Sequence, residues 1–331
     1  MSSPTPPPFS RQALTSLLLA HSTPGDEAEV ADLLMRSWEQ GGLQCRRHGR
    51  FAVSAAAPSQ FSSDRPTVLV CAHMDSPGYI VEAVVDGRLR MIPLGGPHFD
   101  GDATPVVIKT GAGTFNLNLR RESDAEGADL YFGEQVEGAA PGDRACFAAD
   151  PDIREDGIVS SPFLDNRLGC LLLHEFGQKL RERRLPETVN WVLGATACEE
   201  MGGFGAPVFA RAVQPDMVFC VDATYEAHSQ HVRIGEGPVL TLSDASVLLS
   251  PDERDRILSI AANCGAALQT EVYNFSGTDA RAFPQAGLPA PVHALLIPSA
   301  GNHTPTETAS LHDWQSLLSL IPALAVGLGE T

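Results

Sequence analysis

Two histidines and five carboxylates carry the chemistry that this sequence can do. His73 follows the apolar run TVLVCA, and Asp75 comes two residues later. Glu199 and Glu200 follow VNWVLGATAC, Asp222 follows MVFCV, and His303 lies just past VHALLIP. Asp165 opens the segment LDNRLGCLLL. Imidazole and carboxylate without thiolate is a donor set for zinc, cobalt or manganese, not for a cysteine-ligated site. An aspartate bridging two ions, with a histidine and a carboxylate completing each, would make a dinuclear centre. One further carboxylate, held off the ions, would then be needed to move the proton.

Such residues converge only if the elements before them deliver them to one place. The apolar runs 67–72, 189–197, 217–221 and 292–297 suit strands buried on both faces of a parallel sheet. In open α/β sheets, sites form outside the carboxyl ends of strands, where four of these polar clusters fall. Helices are expected from Asp26 to Trp38, with Asp26 as cap, and from Ser250 to Leu268, opened by a Ser250–Glu253 capping box. Leu168, Leu171, Leu172, Phe176 and Leu180 make one face of a helix that starts at Asp165. A last helix begins near Leu311 and is expected to kink or break at Pro322. The segments 43–48 and 51–57 read as a strand pair. From Gly78 to about Ser160 helical periodicity disappears, and short strand-like pieces alternate with Gly, Pro and Asp turns, as in a small all-β module.

Six stretches carry a specific resemblance: AHMDSPGYIV (72–81), DNRLGC (165–170), CEEMGGFGA (198–206), VDAT (221–224), GTDA (277–280) and NHTP (302–305). In this order they resemble the glutamyl-aminopeptidase and deblocking-aminopeptidase family. That family includes the TET peptidases and proteins once labelled endoglucanase M, and belongs to the dinuclear zinc exopeptidases. The resemblance implies an α/β fold, with a central mixed, mostly parallel sheet flanked by helices and an inserted, barrel-like β dimerisation domain. It implies a catalytic domain at 13–77 and 160–331 and the insert at 78–159, while the N-terminal prolines themselves read as a disordered arm at 1–12. It implies that His73 binds one ion and His303 the other, that Asp165 bridges, and that Glu200 and Asp222 complete the two coordination spheres. Glu199 becomes the general base and acid, and Asp75 orients His73 through its ring nitrogen. Two divalent ions per chain follow, zinc first, with cobalt or manganese as alternatives. The implied activity is removal of the N-terminal residue from peptides with a free N-terminus, by a homo-oligomer of two or more chains, up to a dodecamer. Hydrolysis of another amide, such as an N-acyl amino acid, and a silent peptide-binding relative are the alternatives. The silent relative should have lost one of the site residues, and none is missing. His228, His231 and GTDA are further candidates for lining the substrate pocket.

Composition narrows the partners. Lys and Arg number 23 against 41 Asp and Glu, a net charge of −18. Such a chain repels nucleic acid and anionic membrane surfaces. No apolar run reaches the ~18 residues of a membrane span. The N-terminal stretch lacks the basic and apolar regions of a signal peptide. The seven cysteines are an odd number without a C-x-x-C pair, so disulfides are not expected and a reducing, cytoplasmic location is.

Overall fold

The computed structural model describes residues 9–329. The elements run, in chain order, α1 Arg11–Leu19, α2 Ala28–Gln40, β1 Gln44–His48, β2 Ala52–Ala56 and β3 Thr67–His73. Six strands follow: β4 Gly78–Val85, β5 Arg88–Leu94, β6 Ala103–Thr110, β7 Gly113–Ser123, β8 Asp129–Glu134 and β9 Arg144–Phe147. Then come β10 Asp152–Ile153, β11 Ile158–Ser161, α3 Leu164–Arg181, β12 Asn190–Thr196, α4 Ala206–Ala212 and β13 Met217–Tyr225. The chain continues with β14 Val239–Ser243, α5 Pro251–Asn263, β15 Gln269–Val272, α6 Ala282–Gln285, β16 Val292–Ala300, β17 Glu307–Ser310 and α7 Leu311–Gly329.

The large sheet has the order β1-β2-β12-β3-β13-β16-β17-β11-β10, with β14 and β15 paired off β16. Its four central strands, β12, β3, β13 and β16, are parallel. The outer pairs β1–β2, β2–β12, β16–β17, β17–β11 and β11–β10 are antiparallel. The central strands are uniformly apolar because helices cover both faces. One face packs Val68, Val70, Leu193, Phe219 and Leu295 against α1, α2, α3 and α7. The other packs Leu69, Val192, Val218 and Leu296 against Phe209 of α4 and Phe283 of α6.

Strands β4 to β9 close into a barrel, inserted between β3 and α3. It has its own core, in which Tyr79, Val81, Leu89, Met91, Val106, Ile108, Leu119 and Phe147 alternate inward along the strands. The β-textured stretch thus divides. The strands at 152–153 and 158–161 belong to the large sheet, where β11 pairs with β17.

Several local expectations are corrected. The arm expected at 1–12 falls outside the described residues up to position 8, and Arg11 and Gln12 are the first turn of α1, capped by Ser10 accepting from Ala13 N–H at 3.1 Å. Helix α2 starts at Ala28 without a side-chain cap, because Asp26 turns to Lys109 of the barrel at 3.3 Å. Glu27 reaches across to the N–H of Cys198 at 3.1 Å. Helix α5 carries the expected capping box but ends at Asn263. Helix α7 runs through Pro322 unbroken, since Leu318, Ile321, Leu324 and Ala325 bury one continuous stripe that outweighs a missing hydrogen bond. All seven cysteines are free thiols. Among the described residues no helix is long and apolar enough to cross a membrane.

Candidate metal centre

The carboxyl ends of the four central strands meet the start of α3 and the loop between β16 and β17 in a cleft of about 540 Å³. His73 ends β3, Asp222 sits within β13, and Glu199 and Glu200 follow β12 by three and four residues. Asp165 and Asn166 lie at the head of α3, where the backbone is not yet helical and the peptide bond between them is cis. The helix therefore enters at Phe163 and becomes regular only beyond Asn166, so Asp165 is not a simple N-cap.

Three non-glycine residues at the delivering turns have left-handed backbones: Phe163 (φ 72°), Cys198 (φ 57°) and His303 (φ 66°). Each such residue costs about 1–3 kcal/mol and persists only where surrounding contacts determine it. Here each is, or lies within two residues of, a residue facing the cleft. Gly95, at the end of barrel strand β5, is required for a different reason. It has φ +74°, and a Cβ there would lie 2.8 Å from Glu200 Cβ. The barrel thus forms part of the cleft wall.

His73 Nδ1 lies 3.0 Å from the main-chain oxygen of Asp75, an acceptor only, so Nδ1 carries a proton and donates it there. Nε2 then faces Asp222 Oδ1 at 3.1 Å and Asp165 Oδ1 at 3.2 Å. On the other side, His303 Nε2 faces Asp165 Oδ2 at 3.7 Å and Glu200 Oε2 at 3.5 Å. The two oxygens of Asp165 therefore look at different histidines. Glu199 reaches the first group: one donor atom each from His73, Glu199 and Asp222 lie within 4.8 Å of one another. The same holds for His73, Asp165 and Glu200.

Burial pushes Glu199 and Glu200 well above the usual carboxylate range and Asp222 up to about 6. Burial acts on Asp165 in the same direction, but hydrogen bonding to His303 and His73 reverses it and holds this carboxyl low. Burial opposes protonation of His73, yet Asp222 and Asp165 outweigh it and raise this imidazole well above its ordinary value. Glu200 Oε1 is buried without a hydrogen-bond partner. Lone pairs converging in a buried place need positive charge among them, either protons or metal cations. Imidazole and carboxylate oxygens are the donors that borderline divalent ions take, so the residues present fit such ions.

Asp75 is fully buried and holds more than His73. Its Oδ1 is 3.7 Å from His73 Nδ1, but its two oxygens accept the N–H groups of Glu199 at 3.0 Å and Glu200 at 3.1 Å. Glu307 repeats the pattern, accepting from Asp165 N–H and His303 N–H, each at 2.9 Å. Asn302 donates to Asp165 Oδ2 at 3.4 Å. Sequence reasoning did not single out Glu307 or Asn302. A carboxylate that serves main-chain N–H groups leaves no spacing signature, and the only hint was the position of Glu307 two residues past NHTP.

The rest of the cleft is lined by Thr224, Tyr225, Tyr273, Phe275, Ser276, Gly277, Thr278 and Arg281. Tyr273 bridges Tyr225 and Phe275, with ring centroids 6.3 and 5.9 Å apart. Of the GTDA stretch, Gly277 and Thr278 line the cleft. Asp279 is buried against the Thr196 hydroxyl, and burial pushes its carboxyl up to about 7. His228 and His231 are not among the lining residues.

Residues 133–320 match the family described as M42 glutamyl aminopeptidase. A glutamyl aminopeptidase of Lactococcus lactis subsp. cremoris is 26% identical over 346 residues, covering 96% of this chain and 95% of the relative. The fold is that of a TET aminopeptidase from a marine-sediment Thaumarchaeota archaeon, with a TM-score of 0.86 at 21% identity over 95% of this chain and 96% of that one. The Pyrococcus horikoshii TET1 peptidase, described as assembling into a tetrahedron or a large octahedral shell, gives 0.82 at 25% identity, covering 95% of this chain and 98% of that one.

Proposed function

The chain belongs to the M42 glutamyl aminopeptidase family, and from that premise we propose that it removes N-terminal residues from peptides at a centre built for two divalent ions. The observation that carries the reading is Asp165, whose two oxygens face His73 at 3.2 Å and His303 at 3.7 Å. In this reading His73, Asp222 and Asp165 hold one ion, and Asp165, Glu200 and His303 hold the other. Zinc suits this set first, with cobalt or manganese as substitutes. When bound, the ions supply Lewis-acid stabilisation of the developing charge and acidify the attacking water.

The chain's own residues do the rest. Glu199 accepts the proton of the attacking water at a carboxylate oxygen and returns it to the leaving nitrogen. Burial raises its proton affinity, the direction a proton acceptor needs. Asp75 fixes the turn carrying Glu199 and Glu200 through their N–H groups and sets the His73 tautomer through its carbonyl. The free α-amine is held at the carboxylate end of the cleft, and the N-terminal side chain packs on the Tyr225–Tyr273–Phe275 wall. Kinetics on one peptide with a free and with an N-acetylated terminus test this. Acetylation should lower kcat/KM at least about a hundredfold, since one charge-assisted contact and its desolvated partner are lost. Equal turnover would move the assignment to an acylase acting on N-acyl amino acids.

The barrel serves assembly in this reading. Val84 and Ile92, on its strands β4 and β5, are exposed apolar side chains, and small β modules lean on partners for burial. Light scattering at micromolar concentration should give a dimer or a larger oligomer. A monomer would refute the assignment of the insert as a dimerisation unit.

A further inference from the structure

Asp165 and His303 lie far apart in the sequence, on different elements, yet their side chains must keep a fixed spacing if one carboxylate is to serve two ions. Side-chain contact between them is loose, at 3.7 Å. What joins them more firmly is Glu307. Its carboxylate is 1% exposed and receives Asp165 N–H at Oε2 and His303 N–H at Oε1, both at 2.9 Å. Both oxygens are thereby engaged with main chain, so Glu307 is not a spare ligand. It is anchored as the first residue of β17, which pairs with β11 on one side and β16 on the other. The loop between His303 and Glu307 is tied within itself, with Thr304 Oγ1 donating to the carbonyls of Gly301 and Thr306. His303 sits in the left-handed region at φ 66°, a conformation that needs outside support. Glu307 holds the N–H of that same residue.

We propose that Glu307 is a positioning residue that sets the distance between Asp165 and His303, and so acts chiefly on the ion shared by Asp165, Glu200 and His303, the second of the two, while the first keeps His73 and Asp222. The inference rests on the two-ion reading above. Asp75 does corresponding work for the turn that carries Glu199 and Glu200. The amide of Glu307→Gln keeps one acceptor and turns a donor toward the other N–H. The side chain of Glu307→Asp is one methylene short of spanning both.

Stepwise cobalt(II) titration of the full-length protein tests the proposal, followed by calorimetry and by visible absorption of the bound cobalt. The wild type should bind two ions in two steps. In both variants the second step should weaken about 10–100-fold, the usual cost of losing a supporting partner, while the first changes less than about threefold. The absorption of the second cobalt should also shift, a signature that general loosening of the fold would not confine to one ion. Thermal melts identify a variant too unstable to read, and the other variant then carries the test. Equal weakening of both steps, or no weakening of either, overturns the proposal. A wild type that saturates with a single ion overturns the two-ion reading and this proposal together.

Discussion

Glu199→Gln should lose about 10³–10⁴-fold in kcat, the upper part of the range for general acid–base catalysis, while keeping its metal content and thermal stability. The amide is the same size and still accepts a hydrogen bond, but it cannot take a proton from water or return one to the leaving amine. Glu200→Gln should behave differently. Glu200 faces His303 at 3.5 Å, so its loss should lower metal occupancy, and excess metal should restore part of the activity. The contrast between neighbours is the informative result, because Glu199 also lies within reach of His73 and Asp222. If Glu199→Gln loses metal while Glu200→Gln keeps it, the two roles are exchanged. If neither substitution alters turnover, the reaction takes place elsewhere.

Chelation should abolish activity. Lewis-acid stabilisation is worth several kcal/mol, on the order of 10³–10⁵-fold in rate. Zinc or cobalt should restore turnover, and elemental analysis at saturation should count two ions per chain. A single ion at saturation would refute the dinuclear centre. The metal-free protein should also melt at a lower temperature. Asp165, Asp222, Glu199 and Glu200 crowd one cleft, and without cations their mutual repulsion must be relieved by protonation or by opening the site.

The parts of the fold most legible in the sequence were those where burial demands a pattern. Runs such as TVLVCA and MVFCV have few alternatives to strands covered on both faces, and a charged residue at the end of such a run marks the sheet's carboxyl edge. The Gly- and Pro-punctuated stretch announced the inserted β unit in the same way. Elements decided by long-range partners were not legible. Asp26 has the composition of a helix cap, yet Lys109, 83 residues later on barrel strand β6, takes its carboxylate. Strands β10 and β11 look like more of the insert, but they join the large sheet through β11, which pairs with β17 near the end of the chain. In the cleft, side chains that face one another were suggested by residue type. The main-chain contacts of Asp75 and Glu307 were not, because every residue except proline has an N–H and none advertises which carboxylate will accept it.

The barrel's insertion between β3 and α3 also fixes a timetable. His73 is synthesised first, the whole barrel follows, and only then comes Asp165. Glu200 and Asp222 come later, and His303 and Glu307 emerge about 230 residues after His73. At ~5–20 residues per second, that is a wait of roughly 10–50 s. The barrel can fold during this interval, since its core is its own. The cleft cannot, because the backbone of Asp165 has no carboxylate to bind until Glu307 arrives. A nascent chain therefore carries an assembled barrel beside an unfinished acidic pocket, and chains that associate through the barrel while still being made would do so before they can retain a full complement of ions.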